Sequence, residues 1–123
     1  PFGGATVRFV QAAGWNKAMR YLLTGDSFNA QVALDLNLIT EVVEASTPNA
    51  ALERALALAE SIAQAAPLAV QATLASAQQA VQLGADYAFA HLQEHLSPLL
   101  KTQDVQEGVM AMLQRRPAQF KGQ

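Results

Sequence analysis

No cysteine occurs among the 123 residues, which rules out a disulfide framework and a thiolate metal site and makes a reducing cytoplasm the expected setting. Charge is also scarce. Asp, Glu, Lys and Arg make up 15% of the chain, and the net charge of −2 excludes a general nucleic-acid binder, which needs surplus Lys and Arg to displace counterions from phosphates. No apolar run approaches the roughly 20 residues that span a bilayer, and the opening lacks the basic-then-apolar pattern of a signal peptide. No membrane partner is therefore expected. An initiating methionine is missing as well, and the start at Pro1-Phe2-Gly3-Gly4 reads as a cut within a longer protein.

What is present is apolar and helix-forming. Half of the residues are hydrophobic (51%), a globular composition far from that of disordered chains. About a fifth are alanine, the best helix former, and β-branched residues are sparse outside one stretch. The expectation is a mainly α chain with a modest core. The few basic groups are unevenly placed: Arg115, Arg116 and Lys121 fall in the last ten residues, where there is no acid, which gives that end an attraction for anions.

Pro1 to Gly4 reads as a loop into a short helix that breaks at Gly14, and Trp15 to Leu23 as a second helix capped by Gly25. Asn29 suits the N-cap of a third helix, Ala30 to Leu36, which Asn37 can end in the left-handed conformation. Leu38-Ile39-Thr40-Glu41-Val42-Val43 is the one β-branched cluster and predicts a short strand over 39–43, whose pairing partner must come from elsewhere. Thr47-Pro48 opens an amphipathic helix with Leu52, Leu56, Ala59 and Ile62 on one face. Pro67 then starts another, reaching Leu83, with Gly84 as its boundary. Asp86 to Lys101 is helical in pattern but holds Pro98, which predicts a kink or early stop. Thr102 or Asp104 caps a last helix through Arg115, with Asp104 and Glu107 spaced as in a capping box.

Three stretches, in order, carry a resemblance. Pro1 to Arg8 is similar to a Pro-x-x-Gly-Gly-Thr/Ala segment. Leu22-Leu23-Thr24-Gly25-Asp26, followed by Ala30, Ala33, Leu38 and Glu41-Val42-Val43, looks like a helix, Gly turn, helix and short strand. Thr102 to Gly108, with Arg116-Pro117 and Phe120, resembles an Asp-x-x-Glu-Gly helix and an Arg-x-x-x-Phe ending. Together they resemble the C-terminal portion of the enoyl-CoA hydratase/isomerase (crotonase) family, and they span nearly the whole chain. The resemblance implies the helical part of a ClpP/crotonase α/β fold. Residues 1–44 would end the crotonase-like core, and residues 45–123 would cover the CoA site and assemble subunits.

Members of that family act on acyl-CoA thioesters and stabilise an enolate-like oxygen with two backbone N–H donors, while carboxylates move protons. In hydratases those groups lie upstream of the segment that resembles Pro1 to Arg8. The resemblance therefore assigns no catalytic residue here and implies that the piece alone is inactive. The ten acids of this chain fall mostly on polar helix faces or caps, where nothing tunes their acidity. What remains is ligand binding. Arg115 matches a basic position that approaches a CoA phosphate, and Arg116, Phe120 and Lys121 are further candidates; a basic helix end complementing the dipole is the alternative. Leu96 matches a position that is aromatic in some hydratases and shelves the adenine. Phe2 stands where several hydratases have glycine beside the reacting water. No cofactor is implied beyond the coenzyme A of the substrate, and the expected assembly is a homotrimer or a dimer of trimers.

Two other classes stay open. His91-Leu92-Gln93-Glu94-His95 spells the His-x-x-Glu-His pattern of inverted zinc peptidases, which places two imidazoles on one helix face with a glutamate to activate water. An alanine-rich helical chain could also serve only as an oligomerisation module.

Overall fold

The computed structural model describes residues 3–123. These described residues form eight α-helices: α1 Ala5–Ala13, α2 Trp15–Thr24, α3 Ala30–Asp35, α4 Ala50–Ala63, α5 Pro67–Leu83, α6 Ala85–Ala90, α7 Leu92–Leu99 and α8 Gln103–Gln114. The mainly α expectation holds. The chain falls into two compact units, one running to Arg54 and the other from Ala55 to Gln123.

In the first unit α1 packs on α2 through a joint of one residue, Gly14. Ala18, Ala33 and Leu36 are buried there, and the two alanines are small enough to let helix backbones approach closely. Phe9, Tyr21 and Phe28 form an aromatic cluster, with Tyr21 and Phe28 edge to face at 4.9 Å between ring centres. The Asn29 side chain accepts from Val32 N at 2.9 Å and starts α3. Asn37 takes φ 56, the left-handed region, and its amide donates to the Ala12 carbonyl at 3.2 Å, tying the end of α3 to that of α1.

The strand expected over 39–43 does not form. Residues 39–45 are neither helix nor strand, and no strand occurs among the described residues. β-branched composition favours an extended chain, but only a neighbouring strand can satisfy its backbone N–H and C=O groups. Glu41 instead pairs through its side chain with Arg54, whose Nε lies 2.8 and 3.0 Å from the two carboxylate oxygens.

In the second unit α5 packs against α6 and α7. Pro67 occupies the first turn of α5, where its missing N–H costs nothing. Gly84 alone joins α5 to α6. The segment read as one helix from Asp86 is two, because His91 takes φ −103 and ψ 5 and breaks it; α7 then stops at Leu99, one residue past Pro98. Among the described residues no single helix is long and apolar enough to cross a membrane.

Candidate functional site

The residues around α8 carry most of the chemistry, and their arrangement differs from the capping box the spacing suggested. Thr102 is the N-cap: its Oγ1 accepts from Val105 N at 3.2 Å. Asp104 and Glu107 turn to the returning tail instead. Asp104, only 5% exposed, accepts Lys121 N at 2.7 Å and Gly122 N at 2.8 Å, one on each carboxylate oxygen. The Gln123 carbonyl accepts from Gln103 N and Asp104 N at 2.7 and 3.3 Å, giving first-turn donors the partners a helix start lacks. The tail thus runs back along α8 from its last turn to its first, with the Phe120 ring 3.6 Å from where a Cβ on Gly108 would stand.

Glu107 holds the other end of this strap. Both its oxygens receive the Arg116 guanidinium, with Nη2 to Oε2 at 2.8 Å, and Oε1 also accepts Gln119 N at 2.8 Å. The Arg116 side chain, foremost, and then the Gln119 amide hold the Glu107 carboxyl down to about 2, from an ordinary 4.5. The expectation that the acids keep ordinary acidity fails at this residue. A depressed carboxylate contributes stability that is complete above its unfolded value and disappears as pH falls through the folded one. The clamp is therefore expected to stay closed down to about pH 4 and to open towards pH 2. An NMR titration of the Gln119 amide checks this; a midpoint at or above 4.5 contradicts it.

The four basic-end candidates separate. Arg116 is consumed within the chain, since it also donates to Gln114 Oε1 at 2.7 Å and to the Pro117 carbonyl at 3.0 Å. Lys121 and Arg116 line one polar hollow together with Asp104 and Glu107, where two carboxylates oppose any anion. Phe120 and Leu96, by contrast, meet in an apolar hollow of about 430 Å³ between α5, α7 and α8. Leu96 also lines a second apolar hollow of about 490 Å³ between α5, α6 and α7, floored by alanines such as Ala77, Ala80 and Ala88.

Arg115 stands apart from all three hollows. It is exposed, and among the described residues its side chain makes no hydrogen bond or ion pair. Its backbone sits at φ 52 and ψ 40, the left-handed cap position that glycine usually fills. A residue with a Cβ is about 1–2 kcal/mol worse there. Phe2 lies outside the described residues. His91 and His95 do not converge. His91 Nδ1 lies 2.8 Å from the Tyr87 carbonyl, with the ring stacked on Tyr87, while His95 Nε2 lies 2.9 Å from Gln79 Oε1. Among the described residues no three His, Asp or Glu side chains group as metal ligands.

The whole chain, residues 1–123, matches the family model described as enoyl-CoA hydratase/isomerase. The chain belongs to the enoyl-CoA hydratase/isomerase family. It is 43% identical to (E)-benzylidenesuccinyl-CoA hydratase of Thauera aromatica, over 85% of this chain and 40% of that protein. It is 33% identical to 2,3-dehydroadipyl-CoA hydratase of Escherichia coli (strain K12), over 99% of this chain and 47% of that protein. Among solved structures, enoyl-CoA hydratase from Mycobacterium tuberculosis H37Rv superposes with a TM-score of 0.89 at 34% identity, over 99% of this chain and 47% of that one. This family member thus spans about half the length of the curated relatives it matches. Those shares give how much of each relative is matched, not which half, so they do not bear out the C-terminal placement expected from the motifs.

Proposed function

We propose that this chain serves enoyl-CoA hydratase/isomerase chemistry by holding the coenzyme A part of an acyl-CoA thioester, while the groups that polarise the thioester and move protons belong to the rest of such a protein's length. The observation that carries this reading is Arg115, a guanidinium without a hydrogen-bonding partner among the described residues, held on a backbone conformation that a glycine would occupy at lower cost. Strain of that kind persists where the side chain is useful, and a guanidinium matches phosphate oxygens in pairs. Leu96 and Phe120, which share an apolar hollow, suit the adenine and the pantetheine arm through packing.

On this reading the polypeptide binds ligand and does not turn it over. What supports this is that the two acids at the site, Asp104 and Glu107, are committed to the tail and to Arg116 and are not free to move protons. Incubated with crotonyl-CoA and followed by the enoyl absorbance, the polypeptide is expected to show no loss of signal beyond a buffer blank; steady turnover would refute the assignment. The only cofactor-like group in this proposal is the coenzyme A of the substrate.

Assembly belongs to the same proposal. Leu56 and Ile62 on α4 are 60% and 59% exposed, and Met112 and Leu113 on α8 are 72% and 69% exposed. Apolar faces of that extent mark surfaces that another chain, or the rest of such a protein's length, covers. A homotrimer or dimer of trimers in the cytoplasm fits them, and sedimentation of the same preparation gives the mass that tests it.

A further inference from the structure

The two adjacent arginines at the end of α8 are treated in opposite ways, and one carboxylate makes the difference. Arg116 is gripped at both terminal guanidinium nitrogens by Glu107, and its backbone N–H closes the helix on the Ala111 carbonyl at 3.0 Å. With residue 116 pinned at side chain and backbone, the turn between α8 and the tail can close only if residue 115 takes the left-handed conformation. Arg115 therefore projects from a fixed backbone. Building on the coenzyme A reading above, we propose that Glu107 is a positioning residue: by clamping Arg116 it sets the Arg115 guanidinium for the phosphomonoester of the ligand and keeps Arg116 from competing for it.

The chemistry favours the phosphomonoester over the diphosphate of coenzyme A. It carries nearly two charges at neutral pH and three terminal oxygens, the arrangement a planar guanidinium pairs with best. A fixed donor also loses less freedom on binding than a mobile one, so the clamp contributes to affinity without touching the ligand. Without it, residue 115 can leave the left-handed region and its side chain samples many directions.

The test compares the affinity of an acyl-CoA with that of its 3′-dephospho form, by calorimetry on the purified protein. Wild type is expected to favour the phosphorylated ligand by about 10-fold to 100-fold. Glu107→Gln, which keeps an acceptor for Gln119 N but loses the charge, is expected to reduce that preference to a few-fold at most, with the affinity for the dephospho form unchanged. Arg116→Gln breaks the same pair from the other side and should do the same. A preference that survives both substitutions overturns the proposal, as does a parallel loss for both ligands, which marks a merely structural role. Arg115→Gln separates the two readings. If it keeps the preference, the phosphate role of Arg115 fails; if it abolishes the preference while Glu107→Gln does not, only the positioning role fails.

Discussion

Asp104→Ala is expected to destabilise the second unit by about 2–4 kcal/mol, since it removes two charge-assisted hydrogen bonds, each worth roughly 1.5–3 kcal/mol net. The acceptors are short, at 2.7 and 2.8 Å, and the carboxylate is nearly sealed from solvent, so water replaces them poorly. More than two bonds depend on them. They draw the tail back to the start of α8, place Phe120 against Gly108, and bring Gly122 within 3.5 Å of Pro67 at the start of α5, measured from a Cβ position. Against a total stability of roughly 5–15 kcal/mol for an ordinary domain, such a loss is large. Asp104→Asn should lose at least half as much, because an amide offers one acceptor oxygen and turns donors towards the other N–H. Denaturant unfolding measures both. An alanine variant within about 0.5 kcal/mol of wild type, the range of ordinary surface substitutions, would mean that the tail is not held in this way.

The parts of the fold that were legible in the sequence are those fixed by one residue acting on its immediate neighbours. Gly25, Asn29, Asn37 and Pro67 each do at a helix end what their chemistry dictates, within a turn of themselves. What was not legible depends on groups far apart in sequence. Asp104 and Glu107 have the spacing of a capping box, and nothing local distinguishes that role from holding a tail that returns 9 and 12 residues after Glu107 and 17 and 18 residues after Asp104. The same distance effect hid the division between Arg115 and Arg116, which look alike until the Glu107 clamp is seen. The 39–43 segment has strand composition without a strand, because composition cannot supply the partner. The break at His91 carried no glycine or proline to announce it. Membership of the enoyl-CoA hydratase/isomerase family, in contrast, rested on ordered short motifs, which survive in sequence even where their three-dimensional roles differ from the obvious ones.

Gly84→Ala should cost about 1–3 kcal/mol for a different physical reason, one that involves no contact at all. At φ 94 and ψ 160 the backbone lies in a region essentially restricted to glycine. Among the described residues no atom beyond the local backbone stands within 4 Å of the position a Cβ would take, so the penalty is wholly the local clash of the new side chain with its own backbone. That origin can be tested apart from its size. Gly84→Ser should lose as much as Gly84→Ala, whereas D-alanine introduced by semisynthesis, for which positive φ is the ordinary state, should lose nothing. Equal damage from both hands of alanine would point to a packing cause instead. The joint matters because it is the whole connection between α5 and α6: Gly84 N bonds the Ala80 carbonyl and the Gly84 carbonyl accepts Ala88 N, so α6 begins where α5 ends. An L-residue there has to relax by turning α6 on α5. The hollow of about 490 Å³ that Leu96 lines would then lose its shape before any lining residue had been substituted.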